Sequence, residues 1–532
     1  MTISAASPPA SPVDLPDAAL GLPEEVFVLS DLHLGEGYDR HGRYSPMEEF
    51  FHDDAFARFL AFLQARHAER PQALLLVFNG DVFDFLTVTK VPPDEASFSV
   101  SRLERRFGLK PTAAKSVYKV EQIMAGHVRF FDALARFIAA GHRVAFTRGN
   151  HDLELYFPAV QARIRAELAA KPGGPSLERL DSHLSFHQIF LLLPGLAYIE
   201  HGNQYEASNS IRYPLRPLLP PRRRSEPEEM LDYPLGSFFV RYFYNSVHRL
   251  HPFTPKLLSV EQYLDFLRRY NLFSLIRVGR RHFPYFLQAL RPHAPAGSSR
   301  NTMAAEVMQE DALEALRHCT DPPDLYRKVN ALKIVPLAAS KMAFVKEMTK
   351  PLIKRGLWTA ALVLLSLYLW LLLFNLIQAP LLIESVFTKA ILLSLLTLAT
   401  FFGVTGGISY LSHKIRAEQS DPTVEKCAER ADALARMCQV KRVVMGHTHV
   451  VDMRSILDGE GVYLNAGTWT STDNPWDRMH PDARRFTFVR LTADAAEILR
   501  WNDDAGRLER VPLFNQAVAH EARPFPPFPP AA

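Results

Sequence analysis

Cysteine is nearly absent: Cys319, Cys427 and Cys438 are the three in 532 residues. They form no CxxC pair, so the chain carries no disulfide framework and no cysteine metal site, which fits a reducing compartment. A strong charge of either sign is also missing. With a formal net charge of +4 there is no whole-molecule attraction to nucleic acid, and no nucleic-acid-binding module accompanies the local basic residues. The first two dozen residues lack both a basic start and an apolar stretch, so 1–24 is expected to be a disordered tail in place of a secretory signal. Residues 516–532, with Arg523-Pro-Phe-Pro-Pro-Phe-Pro-Pro, build neither helix nor interior strand and are expected to be an extended Pro-rich tail. No internal repeat is visible.

What is abundant is hydrophobic: 48% of the residues, enough for a large core. The length exceeds what one core usually supports, which predicts a main domain with insertions. Aliphatic runs typical of buried parallel strands occupy Val26 to Ser30, Leu74 to Phe78, Val144 to Phe146, Leu196 to Ile199 and Val443 to Met445. Helical periodicity covers Asp53 to His67, Lys115 to Ala140 (stopped by Gly141) and Glu425 to Cys438, giving a βαβ rhythm. Gly461 to Trp469 reads as a strand and turn, and Arg485 to Leu491 with Ala495 to Trp501 as a closing hairpin.

Each of the five strand-like runs ends in a polar tip: Asp31-Leu-His33, Gly80-Asp81 with Asp84, Gly149-Asn150-His151-Asp152, His201-Gly-Asn, and Gly446-His447-Thr-His449. Ligands at the carboxyl ends of parallel strands converge on one rim. A pair of divalent ions needs a carboxylate that bridges them, further oxygen and imidazole ligands, and open positions for water and a phosphate oxygen. Asp81 is the expected bridge. Asp31 and His33, two apart on extended chain, are expected to hold one ion with His449, and Asn150, His201 and His447 the other. In that arrangement a bridging water loses its proton near neutral pH and attacks phosphorus in line. His151 is placed to protonate the leaving oxygen, with Asp152 orienting its ring and Asp84 lying behind the ligands. His201 rests on a short block, with His187 as its nearest competitor. His52, His67, His127 and His142 read as ordinary surface or satisfied core groups. Gly80, Gly149 and Gly446 are explained by turn geometry and close backbone approach.

Two long apolar stretches interrupt this pattern. Leu357 to Ile377 contains no charged residue and, at about 1.5 Å per residue, is long enough to cross a hydrocarbon core of roughly 30 Å; Ala390 to Leu411 matches it. Lys346, Lys350, Lys354 and Arg355 flank one end and Lys414 and Arg416 the other, which puts both flanks on the cytoplasmic side. Trp358 sits at an interfacial position, and Gly403 with Gly407 forms a small-xxx-small pair for close helix approach. Two crossings return the chain to the side it left, so His447 and His449 can rejoin the earlier ligands; a single crossing would separate them. The soluble alternative is a buried helical hairpin. Hence a membrane protein with two spans within 349–416 is expected, its catalytic domain (25–204 and 417–515) facing the cytoplasm.

Residues 205–348 form an insertion, Pro-rich and basic at Tyr213 to Arg224, then aromatic and basic from Phe238 to His293. Stretches Tyr263 to Phe273 and Leu275 to Phe283 fit amphipathic helices, either lying on an anionic membrane surface or packed as a cap with solvated arginines.

The five blocks resemble, in order, the D-x-H, G-D-x-x-D, G-N-H-[DE], H and G-H-x-H blocks of the calcineurin-like metallophosphoesterase superfamily. The resemblance covers Val26 to Asn203 and roughly Val440 to Trp501. It implies a four-layer α/β/β/α sandwich, here with a helical insertion and a two-helix transmembrane hairpin. It further implies two metals, commonly manganese, iron or zinc, and cleavage of phosphomonoesters, phosphodiesters or pyrophosphates. Asp31-Leu-His-Leu-Gly on a membrane chain is also similar to the UDP-2,3-diacylglucosamine pyrophosphohydrolases, which have G-N-R-D where this sequence has His151. The expected substrate is therefore phosphorylated, with lipid-linked diphosphates among the candidates. A scaffold that has lost catalysis is the remaining alternative, and the complete ligand set argues against it.

Overall fold

The structure, a computed structural model, describes residues 21–39, 41–93, 98–219, 229–245, 323–337, 341–379, 384–417, 422–470 and 486–511. Most of the expected N-terminal tail, both amphipathic stretches of the insertion and the Pro-rich tail lie outside these residues. The chain divides into two compact units, residues 340–425 and the remainder.

Twelve strands are described: β1 (Glu25–Leu29), β2 (Leu74–Asn79), β3 (Arg143–Thr147), β4 (Leu184–His187), β5 (Phe190–Leu193), β6 (Ala197–Glu200), β7 (Arg442–Met445), β8 (Val451–Ile456), β9 (Gly461–Ala466), β10 (Thr487–Thr492), β11 (Ala496–Asn502) and β12 (Arg507–Arg510). The helices are α1 (Asp53–Arg66), α2 (Arg102–Phe107), α3 (Ala113–Gly126), α4 (Val128–Ala139), α5 (Pro158–Ala169), α6 (Leu177–His183), α7 (Leu235–Phe239), α8 (Pro323–Ala331), α9 (Lys341–Gln378), α10 (Val386–Ala417) and α11 (Pro422–Cys438). One sheet has the order β12-β11-β10-β1-β2-β3-β4, the other β5-β6-β7-β9-β8. Strands β1 to β4 pair in parallel, as do β6, β7 and β9.

The period of two along each strand sorts side chains onto two faces. Phe27, Leu29, Leu76, Phe78, Val144 and Phe146 face helices α1, α3, α4 and α5. Their neighbours Val26, Val28, Leu75, Val77 and Ala145 turn the other way and meet Ile199, Val444, Leu464 and Ala466 of the second sheet. That sheet's far face, with Tyr198, Val443, Met445 and Tyr463, packs on α8 and α11 through Tyr326, Val329, Cys427 and Leu434. Helices, sheet, sheet and helices thus follow in order, as a sandwich whose layers are each apolar on the sides they share.

The helical period from Lys115 to Ala140 forms two helices, not one. Tyr38 N donates to Gly126 O at 3.0 Å, and His127 leaves the helical conformation at φ −121°. Its ring enters a buried gap between Asp53 at the start of α1 (Nδ1 to Oδ1, 3.1 Å) and Glu48 (Nε2 to Oε2, 3.3 Å). The other background histidines are also engaged: His67 meets Glu25 and His142 meets Pro71 O. The described flanks of the insertion belong to the domain's own cores, through Leu218, Leu231, Tyr233 and Phe238 on one side and Leu325 and Tyr326 on the other.

In the second unit, α9 and α10 each contain 22 residues long and apolar enough to cross a membrane, 357–378 and 386–407, with none of either stretch buried in protein. The two helices touch: Trp370 Nε1 donates to Thr397 Oγ1 at 3.3 Å, and a Cβ at Gly407 would lie 2.9 Å from Leu362 Cδ2. Of the expected small-residue pair only Gly407 meets the partner helix, since Gly403 faces open space.

Burial would lower the His127 pKa, but Glu48 and Asp53 outweigh it and raise it to about 9. A His raised above its unfolded value of about 6.5 stabilises the fold fully below that pH, and this contribution fades as pH climbs to about 9. Unfolding at a series of pH values should therefore show a loss of up to about 3 kcal/mol between pH 6.5 and 9, and His127→Gln should flatten that segment of the profile.

Candidate metal centre

Every expected ligand lies just beyond the carboxyl end of a parallel strand: Asp31 and His33 after β1, Asp81 after β2, Asn150 after β3, His201 after β6, and His447 and His449 after β7. The backbone there is strained. Asp31, His33, Asp81, His447 and His449 all have φ between 51° and 67°, a left-handed conformation costing a side-chain-bearing residue on the order of 1–3 kcal/mol. Cross-links between neighbouring strand ends hold it: Asp31 N to Gly80 O at 3.2 Å, His33 N to Asp81 O at 2.9 Å, Gly446 N to His201 O at 3.0 Å, and His447 N to Asp31 Oδ2 at 2.9 Å. Each turn aims a side chain inward that an ordinary strand continuation would direct to a sheet face.

The donor atoms converge as two sets. Asp31, His33 and His449 have ligand atoms within 4.8 Å of one another, and so do Asp81, His201 and His447. His33 Nε2 lies 3.1 Å from His449 Nε2 and 3.9 Å from both Asp31 Oδ1 and Asp81 Oδ2. His201 Nε2 lies 3.3 Å from Asp81 Oδ2 and 4.0 Å from Asp31 Oδ1. Asp81 therefore stands between the two sets. Asn150 is buried beside them, and the Asp81, His33 and His151 atoms form a third group within the same limit.

The residues fit divalent ions on a direct test. Asp31 Oδ1, Asn150 Oδ1 and His201 Nε2 are buried and have no hydrogen-bond partner. Buried polar atoms without a hydrogen bond are costly unless a cation completes them. Charge reads the same way. Burial alone would raise Asp31 and Asp81, yet His201 and His449 hold Asp31, and His201, His151 and His33 hold Asp81, below the ordinary carboxylate range. Burial would lower His201, but Asp81 and Asp31 lift it to about 10. The imidazoles supply the positive charge that metal ions would bring, and ligation would exchange those protons for metal.

His151 meets Asp84, not Asp152: Nδ1 to Asp84 Oδ1 is 3.1 Å. Asp152 is tied to the backbone, accepting from Gly149 N at 2.6 Å and Val82 N at 2.9 Å. Its burial and the nearby Asp81 raise its pKa to about 7 despite those two donors. So Asp152 braces the loop that carries Asn150, and Asp84 holds the His151 ring. His187 lies apart, its Nε2 2.8 Å from Ser185 Oγ.

Several contributors escaped the sequence reading. Asn79 O accepts from His201 Nδ1 at 2.9 Å, which leaves Nε2 as the nitrogen facing the carboxylates. Ser30 Oγ donates to Asp31 Oδ2 at 2.5 Å, and Thr468 Oγ1 to Asp31 O at 2.6 Å. Glu206, at the start of the insertion, has Oε2 2.7 Å from His447 Nε2. Asn79 and Thr468 sat next to recognised strand ends and could have been found there. Glu206 had no such signal.

Residues 25–232 match the family model for the calcineurin-like phosphoesterase domain. The match spans the first four motif blocks and runs past the expected boundary at 204 into the insertion. Residues 25–232 are therefore a calcineurin-like phosphoesterase domain of the metallophosphoesterase superfamily, which indicates a hydrolase acting on phosphoester bonds. No curated protein matches the chain.

A Cβ added at Gly149 would lie 2.2 Å from Asp81 Oδ1 and 2.7 Å from Asp81 N. Gly149→Ala should thus displace the Asp81 carboxylate and weaken manganese binding about 10–100-fold, the usual scale for disturbing a ligand's support. Equilibrium dialysis against the wild type checks this, and unchanged affinity would refute the placement of Asp81.

Proposed function

We propose that this protein is a membrane-anchored phosphoesterase that holds two divalent ions, manganese, iron or zinc, and hydrolyses a phosphoester or pyrophosphate bond. The single observation that carries this reading is the trio of buried atoms on Asp31, Asn150 and His201 that lack a hydrogen bond, beside the carboxylate of Asp81. Asp31, His33, Asp81 and His449 would hold one ion, and Asp81, Asn150, His201 and His447 the other. When bound, such a pair activates a water for attack on phosphorus and neutralises the charge that develops there.

The remaining residues position and exchange protons. His151 sits at the rim of the cluster, 8% exposed, with Nδ1 held by Asp84, and it would protonate a leaving oxygen. Asp84 stabilises the protonated ring and fixes its orientation, so His151 serves as general acid. Asp152 keeps the turn from Gly149 to His151 in place.

Membrane anchoring is supported by the exposed apolar surface of α9 and α10, from Leu357, Leu364 and Tyr368 to Phe401 and Phe402. A hairpin buried in a soluble core would hide these side chains. The basic flanks favour a cytoplasmic catalytic domain. Such an anchor suits a lipid-linked diphosphate as substrate, the second reading, and it also suits an enzyme merely held near the bilayer. A non-catalytic scaffold has no use for a full ligand set.

Purified protein should hydrolyse a chromogenic phosphodiester with manganese. Asp81→Asn should abolish turnover while the chain stays in the membrane fraction through salt and alkaline washes and leaves it only in detergent. Equal turnover in that variant sinks the metal assignment, and release by alkali sinks the spans.

For the acid role, His151→Gln should lower kcat by about 10²–10⁴ at unchanged metal content, and Asp84→Asn should lower it less. A His151 variant with full kcat would remove the residue from the mechanism.

A further inference from the structure

Beside the proposed second ion, the first residues of the insertion form a compact loop whose polar side chains are all committed. Glu206 Oε1 accepts from Ser208 Oγ, and Oε2 accepts from Asn209 Nδ2 at 2.7 Å and faces His447 Nε2 at 2.7 Å. Asn209 Oδ1 in turn faces Asn150 Nδ2 at 3.4 Å. The run from Asn150 through Asn209 and Glu206 to His447 is therefore continuous and joins two of the expected ligands.

We infer that Glu206 and Asn209 are positioning residues, a hydrogen-bonded bracket that aims Asn150 and His447 at one of the two ions. The inference rests on the dinuclear reading above and extends it to residues outside the ligand set.

Direction follows from a single fact: an ionised carboxylate only accepts. Facing Glu206, Asn209 must turn its NH₂ that way, so its carbonyl oxygen points to Asn150. Asn150 must answer with its own NH₂, and its Oδ1 is left aimed into the cluster, where it is buried and unpartnered. At the other end His447 must present an N–H at Nε2, so in the neutral ring the lone pair is on Nδ1. One carboxylate thus settles the amide orientation of one ligand and the tautomer of another. With both oxygens engaged, Glu206 acts as a support and not as a further ligand.

The bracket is itself held firmly. Asn209 N donates to Glu206 O at 3.0 Å, Asn203 Nδ2 to Asn209 O at 2.9 Å, Gly236 N to Ser208 O at 2.8 Å, and Leu337 N to Ala207 O at 2.8 Å. Gly236 is the second residue of α7, and a Cβ there would lie 2.1 Å from Asn209 Oδ1. Ser237, next along, donates from Oγ to Asn150 O at 3.1 Å. Two separate parts of the insertion's first described flank, at Asn209 and at Ser237, thereby reach the Asn150 turn.

The test is manganese titration of metal-free full-length protein in detergent, by equilibrium dialysis, for the wild type and for Glu206→Gln, Asn209→Asp and Gly236→Ala. The first two are isosteric and change the direction of donation together with one unit of charge; the third pushes the Asn209 amide without altering any bonding group or charge. The wild type should bind two equivalents. Each variant should lose about 10–100-fold in affinity for one equivalent and keep the other, with the melting temperature of metal-free protein unchanged. Wild-type binding of both equivalents in all three variants overturns the inference. Equal weakening of both, or a lower metal-free melting temperature, also overturns it, because the loop would then support the fold and not a particular ligand pair. A wild type that binds fewer than two ions contradicts the dinuclear reading itself, a result distinct from failure of the bracket.

Discussion

The concentration of negative charge at the buried ends of β1 and β2 is the constraint on which the site depends. Asp31 and Asp81 are 0% and 2% exposed, and neither has a lysine or arginine partner among its described ion pairs. Burying two carboxylates is costly unless positive charge meets them. Three imidazoles come within 4.0 Å of these two carboxylates, those of His33, His201 and His449, and a fourth, His151, stands beside them on Asp84. Imidazole carries that charge as a proton or gives it up to a metal, which a guanidinium cannot do.

Placing those groups requires both halves of the chain and a strained backbone. The second sheet joins β5 and β6, which precede the insertion, to β7, β9 and β8, which follow the hairpin. His201 and His447 sit at the ends of adjacent strands of that sheet, and the amide at 446 donates to the carbonyl at 201. The hairpin of α9 and α10 can vary in length without disturbing this pairing, provided the chain returns to the same side of any membrane it crosses. An even number of spans satisfies that condition.

Much of this was legible in the sequence. Aliphatic runs ending in Asp, Asn or His located the strands and the convergence of their tips, because a buried parallel strand leaves a continuous apolar signature. Helical periodicity was less faithful at Lys115 to Ala140, where the break at His127 depends on the distant carboxylates of Glu48 and Asp53. Edge strand β12, Arg-Leu-Glu-Arg, has no apolar pattern to read; it is fastened by charge, with Arg500 and Arg507 both on Glu509. The partner of His151 was misassigned to adjacent Asp152 because proximity in sequence outweighed the turn that carries Asp84 beneath the ring. Glu206 and Asn209 were illegible, since a polar loop announces a bracket only once its bonds are in place.

The central claim is that two ions share Asp81. Electron paramagnetic resonance of the wild-type protein loaded with two equivalents of manganese tests it most directly. Ions a few ångströms apart, sharing a ligand, should give a broadened, exchange-coupled spectrum, with the simple six-line pattern of isolated manganese reduced. A spectrum that remains six-line at two bound equivalents would mean the ions sit apart and would contradict the account.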